Sequence, residues 1–117
     1  MKLDTNTLFA SLSNDIRLRC LVLLQLEGEL CVCELTHALK LSQPMISRHL
    51  GLLRDSSIVN ARREGQWIYY SLNEKLEDWA LQIIEITAES NRSLMPFSGD
   101  LSKLKKMPNR PGSACCA

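Results

Sequence analysis

Two cysteines stand one residue apart in the stretch L-C-V-C-E-L, as Cys31 and Cys33, and a second pair, Cys115 and Cys116, lies at the other end of the sequence. Thiols placed this closely bind a soft metal, take part in redox chemistry, or fill a core. Core filling accounts for Cys20, which shares an apolar face with Ile16 and Leu24. It does not account for two cysteines on opposite faces. On an ideal helix, residues two apart point about 200° from each other. Cys31 and Cys33 therefore meet on one centre only where a helix is broken or has not yet begun. The first turn of a helix also exposes N–H groups and the positive end of its dipole, which predicts a lowered pKa for Cys31 or Cys33.

Hydrophobic spacing sets the elements that hold these thiols. Leu8, Phe9 and Leu12 predict a first helix over 5–12, and Ser13 offers a cap to a second at about 14–27. There Ile16, Cys20, Leu23, Leu24 and Leu26 recur until Gly28 stops the run. Residues 31–40 form a short third helix with Leu35, Ala38 and Leu39 inward and His37 outward. Ser42 caps a fourth, S-Q-P-M-I-S-R-H-L-G-L-L-R-D, with Pro44 in its first turn. Its buried stripe of Ile46, Leu50 and Leu53 leaves Gln43, Ser47, Arg48 and the sides of Met45 and His49 facing outward. A short helix that opens on small polar residues and turns basic suits a major groove.

In I-V-N-A-R-R-E-G-Q-W-I-Y-Y-S-L, apolar and polar residues partly alternate around Gly65, predicting a hairpin of roughly 58–63 and 66–72 with a basic tip. Residues 74–90 return to helix, with Leu76, Trp79, Ala80, Ile83, Ile84 and Thr87 on one face. Beyond Asn91, Pro96, Gly99, Pro108, Pro111 and Gly112 punctuate a basic stretch. Residues 91–117 are expected as a loosely ordered tail, with one helical turn open to Leu101 and Leu104, leaving 1–90 as the domain. Four helices, a hairpin and a fifth helix make a mainly α winged helix-turn-helix. The first and last helices, outside the central trio, read as the interface of a homodimer.

A chain of 117 residues holds one domain. Its 45% apolar and 23% charged residues exclude global disorder. No apolar run approaches the roughly 20 residues of a membrane span, and Met-Lys-Leu-Asp lacks the core of a secretion signal. The expected location is the cytoplasm, where the cysteines stay reduced. Net charge is only +1, but residues 42–72 carry four arginines against two acids, and 91–117 carry five basic residues against Asp100. Nucleic-acid contact is therefore expected from the middle and the tail.

E-L-C-V-C-E-L, then S-Q-P-M-I-S-R-H-L-G-L-L-R, then R-E-G-Q-W-I-Y-Y-S-L closely resembles the arsenical-resistance repressors of the ArsR/SmtB family of metal-sensing winged-helix proteins, over about residues 8–90. The resemblance implies a homodimer on operator DNA that lets go when trivalent arsenic or antimony binds cysteines near the start of the third helix. It assigns Cys31 and Cys33 as two ligands. The family's further cysteine, three residues on, is Thr36 here, which directs attention to Cys115 or Cys116 as the third thiolate. Sensors of zinc or nickel in the family gather histidines on the last helix, and residues 74–90 contain none. Those of cadmium or lead use cysteines of the N-terminal arm, and residues 1–19 contain none.

Within that reading, Gln43, Ser47 and Arg48 meet base edges, with Ser47 also a candidate for phosphate and His49 either touching a phosphate or packing beside Leu53, while Arg62 and Arg63 on the ribbon meet phosphates or a minor groove. Drawing both thiols onto one arsenic is expected to bend the start of the third helix and thereby disturb the reading helix. The main alternative keeps the DNA-binding role and replaces arsenic by oxidation of the thiols. A thiol-disulfide enzyme fits poorly, because C-x-C lacks the C-x-x-C spacing. A winged helix without DNA binding is the remaining alternative.

Overall fold

The computed structural model describes residues 3–110. The elements are α1 (Thr5–Leu12), α2 (Asp15–Glu27), β1 (Glu29–Cys31), α3 (Val32–Leu39), α4 (Gln43–Asp55), β2 (Val59–Glu64), β3 (Trp67–Leu72), α5 (Asp78–Asn91) and α6 (Phe97–Lys105). The fold is mainly helical with a β-hairpin wing, as the spacing predicts. Two elements, β1 and α6, come in addition.

Local chemistry explains most boundaries. Asp4 accepts from the Thr7 N–H and starts α1. Asn14, rather than Ser13, caps α2 by accepting from the Arg17 N–H. Ser13 instead ends α1, its hydroxyl donating to the Ala10 carbonyl at 2.8 Å. Ser42 accepts from the Met45 N–H at the start of α4, with Pro44 in the first turn where its missing donor costs nothing. Between α3 and α4 lie only residues 40–42, and Lys40 closes α3 in a left-handed conformation with φ 56°. At the hairpin tip Gly65 has φ 61°, which a tight turn between the strands requires.

Helices α2, α3 and α4 meet around Leu21, Leu23, Leu24, Leu35, Ile46, Leu50 and Leu53, all at most 1% exposed. Each such side chain contributes about 1.5–3 kcal/mol by leaving water. Helix α5 lies on α2 through Ala80, Ile84 and Ala88. The sheet order is β1-β3-β2, all antiparallel, so the wing hairpin gains a third strand from the segment just before α3. A strand of three residues is too short to show alternation in sequence.

The basic stretch after Asn91, expected as loosely ordered, contains a nine-residue helix. Pro96 stands at its N-cap and Gly99 in its first turn, so the two apparent breakers sit where a helix start tolerates them. Phe97 and Leu104 are buried, and α6 packs on α2 and α3. Asp100, 1% exposed, accepts from Arg19 Nε at 2.8 Å and Nη2 at 2.7 Å, locking α6 to α2.

Candidate functional site

Cys31 is both the last residue of β1 and the N-cap of α3, with φ −74° and ψ 152°. Cys33 lies in the first turn of α3. Because the helix has not begun at Cys31, the two side chains converge: the Cys33 thiol donates to the Cys31 sulfur at 3.0 Å. That is well beyond the roughly 2.05 Å of a disulfide, and both cysteines are free. The expectation that a bound centre must bend α3 to gather the thiols is corrected here. Extended backbone at Cys31 has already gathered them.

For Cys33 the expected drop in thiol pKa is corrected too. Burial, then the hydrogen bond to the Cys31 sulfur and the charges of Cys31 and Glu34, push the Cys33 thiol up to about 12. The backbone N–H groups of the helix start do not outweigh this burial. Glu34, 3% exposed, accepts from the Cys31 N–H at 2.8 Å through Oε1 and from Arg110 Nε through Oε2. Arg110 also donates to Glu27 at 3.2 Å. The chain beyond α6 is thus pinned one carboxylate away from Cys31. Thr36 turns its hydroxyl to the Val32 carbonyl at 2.8 Å. Cys20 is fully buried in α2, and burial pushes its thiol up to about 12, as suits core filler. Cys115 and Cys116 lie outside the described residues.

The thiol site is continuous with the wing. Across the sheet Cys31 is opposite Tyr69, and Tyr69 is opposite Arg62. The Arg62 guanidinium lies 4.7 Å from the Tyr69 ring centroid and reaches Glu29 of β1 at 2.7 and 2.9 Å. Arg63 is exposed at the neighbouring position of β2. On α4, Gln43 donates to Ser47 at 2.7 Å, and Gln43, Met45 and Arg48 face solvent near its N-terminal end.

Of the two places expected for His49, the structure puts it inward and not at a phosphate-facing surface. It is 6% exposed and accepts from Arg17 Nη1 at 3.3 Å, while Arg17 also donates to the carbonyls of Ala10 and Ser11. Its side chain belongs to the junction of α1, α2 and α4 and not to the outer face. Sequence spacing missed this because its partner is 32 residues away. Glu34 and Arg110 were also missed. The signal for Glu34 was its position three residues after an N-cap, the spacing of a capping box.

Comparison with known proteins agrees with this geometry. The model of the family described as "Bacterial regulatory protein, arsR family" matches residues 14–61, which hold α2, the thiol pair and α4. The arsenic resistance transcriptional regulator ArsR1 of Pseudomonas putida is 46% identical over 110 residues, 93% of this chain and 84% of its own length. The arsenical resistance operon repressor of Escherichia coli is 47% identical over 78 residues, 67% of each chain. Among solved structures, the antimony-specific transcriptional repressor AntR superposes with a TM-score of 0.62 at 28% identity, covering 80% of this chain and 86% of that one. No helix among the described residues is long and apolar enough to cross a membrane. A helix-turn-helix with a wing, a thiol pair at the head of α3, and relatives of this closeness lead to one conclusion: the chain belongs to the ArsR family of winged-helix transcriptional repressors, which are regulators and not enzymes.

Proposed function

We propose that this chain is a metalloid-responsive repressor of the cytoplasm, binding operator DNA as a homodimer and releasing it when trivalent arsenic or antimony is held by Cys31 and Cys33. The observation that carries the reading is the 3.0 Å separation of the two sulfurs at the β1–α3 junction. Trivalent arsenic is soft and keeps a lone pair, so it takes up to three thiolates in a pyramid. In arsenous acid each As–OH exchanges with a thiol: an As–S bond forms, an As–O bond breaks, and the thiol proton leaves with the hydroxide as water. No electrons are transferred.

The third thiolate is assigned to Cys115 or Cys116. Support comes from Arg110, whose bond to Glu34 holds the chain beside the pair. The five steps from Arg110 to Cys115 span at most on the order of 17 Å, ample to return to Cys31.

On the DNA side, Gln43, Ser47 and Arg48 read the major groove, and Arg62 and Arg63 contact the backbone from the wing. Phe9 on α1 and Ile86 on α5 are 51% and 65% exposed, apolar surface that a second copy covers. Coupling runs through β1, which carries Cys31 and is hydrogen-bonded into the wing sheet. Ligand and DNA then favour different settings of β1 and the wing, with a coupling of about 1–3 kcal/mol.

X-ray absorption on the arsenite complex tests the ligand set. Wild type is expected to show three sulfurs and Cys115→Ser/Cys116→Ser two sulfurs and an oxygen; three sulfurs in that variant would remove the tail from the site. Oxidation of the close thiol pair is the second reading. Operator release by peroxide at lower dose than by arsenite would favour it.

A further inference from the structure

The two arginines of the wing are not equivalent. Arg63 is exposed and, among the described residues, joins no ion pair. Arg62 is held on three sides. Its Nε and Nη2 donate to the two carboxylate oxygens of Glu29 at 2.9 and 2.7 Å, a bidentate pair. Its Nη1 faces Glu64 across 3.6 Å, and its central carbon lies over the Tyr69 ring, 4.7 Å from the centroid. Two carboxylates against one guanidinium leave this face of the wing net negative, which does not by itself draw a phosphate. Yet the side chains of Arg62 and Glu29 are 49% and 35% exposed, open enough for DNA to reach the pair. Glu29 belongs to β1, two positions before Cys31, and it meets Arg62 across the intervening strand β3.

We propose that Glu29 is a positioning residue for the wing: β1 and the DNA backbone compete for the Arg62 guanidinium, and the operator complex exchanges the Glu29 carboxylate for a phosphate. The inference rests on the reading of Arg62 as a backbone contact, and it supplies that contact with a regulator. A carboxylate and a phosphate diester each offer paired oxygens to the guanidinium fork, and one edge of the fork accepts only one of them at a time. Arg63 contacts DNA unconditionally, whereas Arg62 does so only when Glu29 yields. A setting of β1 that holds Glu29 on Arg62 then disfavours DNA, and one that withdraws it favours DNA. Because Glu29 and Cys31 share a three-residue strand, an event at the sulfurs acts on the same strand that holds Arg62.

The test is operator binding by the full chain, read by anisotropy at several salt concentrations, for Glu29→Gln, Glu64→Gln, Arg62→Gln and Glu29→Gln/Arg62→Gln. Exposed ion pairs shift an equilibrium by up to about fivefold each. Glu29→Gln should therefore tighten binding at least about twofold, with the salt slope unchanged because the same phosphates are contacted. Made in the Arg62→Gln background, the same change should gain less than about half that factor, since the competition needs both side chains. A gain at least half as large there, or an equal gain from Glu64→Gln, is general removal of negative charge and overturns the proposal. So does Glu29→Gln that binds as wild type or more weakly. Arg62→Gln separates the levels, because it should lower the salt slope by about 1 per subunit. An unchanged slope refutes the wing contact itself, whereas a lowered slope with a silent Glu29→Gln refutes only the competition.

Discussion

Replacing Asp100 by Ala should loosen the C-terminal part of the molecule and lower its stability by about 3 kcal/mol. Asp100 is 1% exposed and receives two hydrogen bonds from Arg19, whose side chain is 15% exposed. Without it, Arg19 keeps among the described residues only Asp15, 3.9 Å away and 77% exposed. Removing one partner of a buried pair typically costs about 3–5 kcal/mol, because the other charge is left without compensation. Here α6 can detach, which bounds the loss by what docking contributes: the burial of Phe97 and Leu104, about 1.5–3 kcal/mol each. The two ranges, about 3–5 and about 3–6 kcal/mol, share a lower limit of about 3 kcal/mol, which is the loss expected. For a domain of this size that is a fall in Tm on the order of 10 °C or more. Urea unfolding at fixed protein concentration measures it, with tryptic cleavage at Lys103, Lys105 and Lys106 reporting α6. The double change Arg19→Met/Asp100→Leu, which removes both charges, should lose less than about 1.5 kcal/mol. Asp100→Ala within about 0.5 kcal/mol of wild type with unchanged cleavage, or a double variant as damaged as the single one, would refute the reasoning.

Histidine 49 should make stability pH-dependent. Burial, then the charges of Arg17 and Arg48, hold its pKa below the ordinary 6.5. The unfolded chain then binds the extra proton first, so stability falls as pH drops from 7 through 6.5, and His49→Gln should flatten urea midpoints across that range. Arg63→Gln should weaken operator binding at every sequence and reduce the salt slope by about 1 per subunit, read by anisotropy at several salt concentrations. Gln43→Ala should instead relax base preference with the slope unchanged.

The winged helix was legible because its determinants are local. Ile46, Leu50 and Leu53 repeat at helical spacing, Ser42 and Pro44 mark a helix start, and Gly65 marks the hairpin. What was not legible depends on partners distant in sequence. Asp100 finds Arg19 across 81 residues, which turns a stretch punctuated by Pro96 and Gly99 into a docked helix. The thiol pair shows both sides. Its residue types and spacing were plain, and the geometric condition, a helix not yet begun, was stated by the spacing itself. Which way the condition is met was decided by β1, whose pairing with Tyr69 and Tyr70 holds Cys31 extended. The spacing of α4 placed the side of His49 outward, yet Arg17 draws it inward.

The central claim is that Cys31 and Cys33 convert metalloid binding into release of DNA. The most direct measurement is arsenite titration of a preformed operator complex, followed by anisotropy, for wild type, Cys31→Ser and Cys33→Ser at equal DNA affinity. Wild type should release the operator, with its affinity falling between about 5- and 150-fold, and each variant should stay bound at the same arsenite concentration. Release by either variant at wild-type doses would contradict the account.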